Sequence, residues 1–218
     1  MSEPVIPRVM IGLPMRDYPH AFHAMSLAYM TALSKISISL CRCKSSVIPM
    51  SRNMMVHIAK TRGHEFLLMI DDDLSFPSCV VDRMVGIADD KGIDVLGCNY
   101  VCREPPHNCT FRPLNGMDQE LRGLDQVDIV PGGMMLIRMS ALSRMEEPYF
   151  LNPTYRAEQG FLTAGTEDTY FCDHAREAGL KIWMDTELSL SLVHWDGSTG
   201  VQWTIEPPGY KYVREPPT

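Results

Sequence analysis

The hydrophobic pattern along the chain changes period several times, and each change marks an element. Arg8 to Pro14 (RVMIGLP) is a compact apolar run, read as a buried strand that ends in a loop carrying Arg16 and Asp17. From His20 to Leu33 the apolar positions Phe22, Met25, Tyr29 and Leu33 recur at helical spacing, which predicts a helix. SISLC (37–41) alternates as a strand does. Ser51 is placed to cap a helix running through Lys60 and stopped near Gly63. Phe66 to Ile70 is another apolar strand, followed by Asp71, Asp72 and Asp73 and then by a helix with Pro77 in its first turn. DVLGCNY, from Asp94, is a further short strand.

This alternation predicts an α/β fold with a largely parallel sheet covered on both faces. After it the pattern loosens. Residues 103–126 are rich in Pro, Asn and Gly and read as an excursion. QVDIVPGGMMLIRMS reads as two short strands around Gly132 and Gly133. TEDTYFCDHAREAG is a helix with Phe171, Ala175 and Ala178 at its apolar positions, ended by Gly179. LKIWMD and LSLSLVH are the last strands. The expected organisation is one domain over residues 1–200 and an aromatic, proline-rich tail over 201–218, in which Trp203, Tyr210 and Tyr212 suit a lid or a subunit contact.

Composition narrows the function classes. With 218 residues and 45% apolar content the chain can bury a single core. A net charge of −7 argues against sequence-independent binding to a nucleic-acid backbone, which needs a basic stripe. Seven cysteines, an odd number, together with a start (MSEPVIPRVM) unlike a signal peptide, read as reduced thiols in a cytoplasmic protein. No apolar run approaches the ~18 residues of a membrane span. The sixteen methionines are scattered and read as core fillers.

The acidic triplet is the feature that composition does not explain. Adjacent like charges roughly 5 Å apart repel by about 3 kcal/mol at an effective dielectric near 20, and a turn needs one Asp rather than three. At the carboxyl end of a sheet strand, where ligands bind in open α/β folds, clustered carboxylates suit a hard cation such as Mg²⁺ or Mn²⁺. Glu167 and Asp168 open a helix, where the dipole favours negative charge, and either is also placed to act as a general base. His194 follows a strand and is a candidate neutral ligand. Cys98, Cys102, His107 and Cys109 form a weaker candidate zinc set.

Taken in order, PMSRNMMVHIAKTRGHEFLLMIDDDLSFP and GTEDTYFCDHAREAGLKIWMDTELSLSLVHWDG resemble a GT-A glycosyltransferase of the family 2 kind over residues 5–197. The resemblance implies a GT-A (Rossmann-like) domain and transfer of one sugar from a nucleotide-diphosphate sugar, UDP- or GDP-linked, to a glycan or other hydroxyl acceptor. It places Pro14, Met15, Arg16, Arg52, Asp71 and Asp72 at the nucleotide. Asp71, Asp73 and His194 fall at a Mn²⁺ or Mg²⁺ ion. Gly132, Gly133 and Trp195 fall beside the donor or acceptor sugar, and Asp168, with Glu167 next to it, falls at the catalytic base of an inverting displacement. The chain lacks the membrane helices and the Q-x-x-R-W motif of processive synthases, which implies single transfers. The rivals are a nucleotidyltransferase, whose Gly-rich basic loop is missing from IGLPMRDYP, a non-catalytic nucleotide-sugar binding or assembly protein, and a DNA-modifying transferase. A homo-oligomer is compatible with all of them.

Overall fold

The computed structural model describes residues 8–15, 18–102, 109–117, 121–156, 162–196 and 200–205. Its strands in chain order are β1 (Val9–Pro14), β2 (Ile38–Cys43), β3 (Phe66–Ile70), β4 (Leu74–Ser75), β5 (Val95–Gly97), β6 (Arg112–Pro113), β7 (Leu124–Ile129), β8 (Met134–Arg138), β9 (Thr154–Arg156), β10 (Leu162–Ala164), β11 (Ile182–Asp185), β12 (Val193–Trp195) and β13 (Gln202–Trp203). The α-helices are α1 (Ala21–Leu33), α2 (Ile48–Arg62), α3 (Val80–Lys91), α4 (Glu167–Glu177) and the single-turn α5 (Thr186–Ser189).

Eight strands form the central sheet in the order β2-β1-β3-β8-β5-β11-β7-β6. β1 pairs in parallel with β2 and β3, and β5 with β11. β8 runs antiparallel to both β3 and β5, and β7 antiparallel to both β11 and β6. The sheet is therefore mainly parallel, with β7 and β8 reversed against the other six. Residues of β3 alternate between two cores: Leu67 and Met69 face one, and Phe66, Leu68 and Ile70 the other. α2 and α4 cover the first core through Met55, Val56, Ala59, Phe171 and Ala175. α3 covers the second through Val81, Met84, Val85 and Ala88, with Met30 of α1 beside them. Both faces of β3 are thus covered, so its sequence is apolar throughout rather than alternating. Among the described residues eight methionines, including Met10, Met55, Met69 and Met135, are fully buried, as core fillers should be.

Four local expectations are corrected. Helix α1 forms, but the residues that reveal its period, Phe22, Met25, Tyr29 and Leu33, are 47–62% exposed, while His23 and Met30 are buried. Ser51 does not cap α2: the helix begins at Ile48, with Pro49 in its first turn, and Ser51 is buried within it. Pro77 forms a turn ahead of α3, accepting a bond from the Val80 N–H. LSLSLVH is not a strand throughout. Asp185 accepts a hydrogen bond from the Leu188 amide and so caps α5; Leu188 and Leu192, four apart, are buried, and only Val193–Trp195 is extended.

Candidate active site

β3 delivers the acidic triplet. Its antiparallel pairing with β8 ends at Ile70 opposite Met134, and the Asp71 amide then bonds the Gly133 carbonyl at 2.9 Å. The chain turns through Asp72 and Asp73 into β4, which pairs with β12 in a separate three-stranded sheet of order β13-β12-β4. The three carboxylates therefore sit where the main sheet hands over to the small one. A cleft of about 810 Å³ opens there, lined by Pro14, Tyr18, His20, Ser45, Arg52, Asp71, Asp72, Asp73 and Glu167, among others.

Arg52, on the first turns of α2, is 2% exposed. Its guanidinium bonds Asp71 Oδ1 at 3.0 Å, Glu167 Oε1 at 3.0 Å and the Gly132 carbonyl at 2.8 Å. The planar fork suits this divided recognition, which an ammonium would not reproduce. Burial is the largest influence on Asp71 and raises its pKa, against the Arg52 charge, which lowers it. Asn53, the next residue, holds the chain on the other side: its carbonyl oxygen accepts the amides of Tyr149 and Phe150, and its amide nitrogen donates to the Phe150 carbonyl.

Asp73 and His194 are brought together from different strands, Asp73 Oδ2 lying 3.4 Å from His194 Nε2. His194 Nδ1 is 2.7 Å from the Val101 carbonyl. A carbonyl can only accept, so Nδ1 carries the hydrogen and, in the neutral ring, Nε2 turns its lone pair toward a carboxylate oxygen. Two electron-rich atoms so placed call for a proton or a cation between them. A histidine that donates its far nitrogen to a backbone carbonyl is also the usual orientation of a metal ligand. Among the described residues, however, no three His, Cys, Asp or Glu side chains gather as a ready-made metal cluster. Asp71, expected beside Asp73 and His194 at a metal, is turned to Arg52 instead.

The other expected residues separate into those the structure brings to the cleft and those it does not. Pro14 and Asp72 line it. Met15 does not present its side chain there; it is 7% exposed and packs in the core. Arg16 lies outside the described residues. Trp195 is stacked on Phe22 and His20, at ring separations of 4.4 and 4.9 Å, and bonds Ser75 Oγ through its indole N–H at 2.9 Å. Gly132 and Gly133 are buried, and the room their missing side chains leave is taken by protein. A Cβ on Gly132 would stand 2.8 Å from the Arg52 guanidinium carbon, and one on Gly133 would stand 2.4 Å from Tyr100 Oη. Asp168 is half-buried, its Oδ2 accepting from the Gly132 amide at 3.1 Å and its Oδ1 from the Thr169 amide at 2.8 Å. Cys98 is buried in the core, and His107 and the tail beyond Ile205, with Tyr210 and Tyr212, lie outside the described residues.

Sequence reading missed Tyr100 and the far wall of the cleft. Tyr18, His20, Ser45 and Ser46 are loop and helix-entry residues with no motif around them. Tyr100 follows β5, is 9% exposed, and lies edge-on to the His194 ring with centroids 5.1 Å apart. Burial first, then the Asp71 and Asp168 charges, pushes its phenol well above the usual range.

No protein-family model matches the sequence, and no curated protein is significantly similar to it. Similarity is found at the level of structure. The crystal structure of A197 from STIV superimposes with a TM-score of 0.62 at 13% identity, over 95% of this chain and 99% of that one. The chain shares the fold of A197. The fold class implied by the motif order, a GT-A-type α/β domain, stands. A crystal structure of S. aureus TarS 1–349 in complex with UDP-GlcNAc is more distant, with a TM-score of 0.43 at 11% identity over 90% of this chain and 58% of that one.

Proposed function

We propose that this chain is a metal-dependent glycosyltransferase that moves one sugar from a nucleotide-diphosphate sugar to an acceptor hydroxyl. The observation that carries the reading is the convergence of carboxylates on one cleft beside a histidine. Asp71, Asp72, Asp73 and Glu167 line it, with Arg52 engaging Asp71 and Glu167. Asp73 Oδ2 lies 3.4 Å from Nε2 of His194, whose ring is oriented by the Val101 carbonyl, so the pair suits a shared cation.

The residues present fit Mn²⁺ or Mg²⁺. Such ions are commonly held by one or two protein ligands, with substrate phosphates and water completing the shell, so a third protein ligand is not required. Asp73 and His194 would hold the ion, which when bound would neutralise charge developing on the diphosphate leaving group. α1 and α2 both begin at the cleft, so their positive dipole ends suit the diphosphate. The donor nucleotide fits UDP or GDP, on the resemblance of the motifs.

For the base, Glu167 is bonded to Arg52, whereas Asp168 is held by two backbone amides that fix its direction without neutralising it. We assign Asp168 to deprotonate the acceptor hydroxyl, giving a single inverting displacement.

Thermal unfolding with UDP, GDP, dTDP and CMP, each with and without Mn²⁺, tests the reading. A ligand at 100 times its dissociation constant adds about 2.7 kcal/mol, a rise of roughly 5–10 °C for a chain of this size. One diphosphate stabilising only with metal supports it; no response to any of them refutes it. Release of pyrophosphate rather than nucleoside diphosphate from the sugar donor would move the assignment to nucleotidyl transfer.

A further inference from the structure

The candidate site contains two groups of side chains carried on different elements. One is the Asp73–His194 pair on β4 and β12; the other is Arg52 with Asp71 and Glu167 at the ends of α2, β3 and the start of α4. Tyr100 reaches both, the first by direct ring contact and the second through Gly133. Its ring meets the His194 ring at 70° with centroids 5.1 Å apart, the edge-to-face arrangement that fixes an aromatic neighbour's plane. Its hydroxyl accepts the Gly133 amide at 3.2 Å, and Gly133 in turn receives the Asp71 amide on its carbonyl. The Tyr100 carbonyl accepts both the amide and the hydroxyl of Thr110, so the residue is held on its own backbone side as well. A bulkier residue at position 133 has no room: its Cβ would lie 2.4 Å from Tyr100 Oη and 2.8 Å from Asp71 Oδ2.

We propose that Tyr100 is a positioning residue of this site, its ring setting the plane of His194 and its hydroxyl fixing Gly133 and hence Asp71, so that one side chain aligns the two groups. The assignment rests on the reading of Asp73 and His194 as metal ligands only for its effect on turnover; the alignment itself is a property of the protein alone. A buried tyrosine with a purely structural role would stabilise the fold without governing the His194 ring.

Tyr100→Phe, which keeps the ring, is compared with Tyr100→Leu, which does not. In the metal-free full chain, the His194 imidazole signals are followed by ¹H–¹⁵N NMR, with His194→Gln as the assignment control. Where turnover of the sugar donor is present, the Mn²⁺ concentration for half-maximal rate is measured as well. Tyr100→Leu should displace the His194 Nδ1 and Nε2 ¹⁵N signals in opposite senses, as a changed ring orientation does and loss of a neighbouring ring current alone does not, and should raise the Mn²⁺ requirement about 10-fold or more, the usual cost of losing a residue that orients a ligand. Tyr100→Phe should leave the His194 signals and the Mn²⁺ requirement in place while lowering kcat. Gly133→Ala should lower kcat similarly, and combining it with Tyr100→Phe should cost less than the product of the separate losses, because both disturb one contact. Unmoved His194 signals in Tyr100→Leu, whatever its melting temperature, would overturn the proposal. Absence of donor turnover in the unmodified chain would instead count against the transferase reading, and the NMR comparison would still decide the role of Tyr100.

Discussion

Arg52→Met isolates the charge balance of the cleft floor. Methionine fills a similar volume and removes the guanidinium that bonds Asp71, Glu167 and the Gly132 carbonyl. Breaking a buried ion pair from one side costs about 3–5 kcal/mol, mostly because the abandoned charge stays desolvated. Here the lower end applies: the Arg52 side chain is 3% exposed, but Asp71 keeps 29% and Glu167 15%, so water reaches the carboxylates that are left. About 3 kcal/mol corresponds to a fall in melting temperature of roughly 6–12 °C. The sign of the pH dependence follows from Asp71. Its folded pKa is already raised by burial, and losing Arg52 removes the positive charge that most lowers it. The folded variant then binds a proton more readily than the unfolded chain, so its deficit should shrink as pH falls through that raised value toward the ordinary 3.8. Adding Asp71→Asn should recover most of the loss at neutral pH. Thermal unfolding of the unmodified chain and of both variants at pH 7 and pH 5 reads all of this. A fall of less than about 2 °C, below the shift of a single kcal/mol, or an equal deficit at both pH values, would refute the idea that Arg52 compensates a desolvated Asp71.

Asp73→Asn should remove the Mn²⁺-dependent part of nucleotide-diphosphate stabilisation in a melting assay, leaving the metal-free melting temperature within a degree or two, since its carboxylate is not the partner of Arg52. Asp168→Asn should preserve that stabilisation and lower kcat by about 10²–10⁴, the range for loss of a general base; loss of binding as well would show that it holds ligand. Glu65 is kept below its ordinary 4.5 by the hydrogen bond from Arg8, so its contribution is present above that value and lost as pH falls through the lower folded one. The stability difference between the unmodified chain and Glu65→Gln, about 1 kcal/mol or less for so exposed a pair, should therefore vanish in strong acid and be constant at neutral pH.

The strands were legible because their apolar runs are short, are bounded by turn residues, and are buried on both faces of one sheet. The acidic triplet and the Glu-Asp pair were legible for a similar local reason: each lies at an element's end, where charge with no obvious local partner stands out. Arg52 was legible as a site residue but not as the partner of Asp71 and Glu167, because those contacts span 19 and 115 residues. The same applies to the pairing of Asp73 with His194, which needs β12 to return beside β4. Gly132 and Gly133 drew notice as places of close approach, yet sequence could not say that Arg52 and Tyr100 are what approaches. LSLSLVH misled because alternation over six residues also fits leucines spaced four apart, and the deciding residue, the capping Asp185, lies before the run. Helix α1 showed its period without showing which side was buried, since its fully buried residues are only His23 and Met30, with Leu27 partly buried beside them.

That outward face has a consequence for how the chain behaves in solution. From Ala21 to Leu33 there is no Asp, Glu, Lys or Arg, and Phe22, Met25, Tyr29 and Leu33 stand about half exposed in a molecule of net charge −7. At low ionic strength mutual repulsion keeps such molecules apart. Added salt shortens the reach of that repulsion to about 8 Å near 0.15 M, and sulfate strengthens contact between apolar surfaces. Salt, ordinarily a solubilising agent for ionic aggregates, should therefore make this protein stick to itself, along the uncharged strip of α1 that stands half exposed among the described residues.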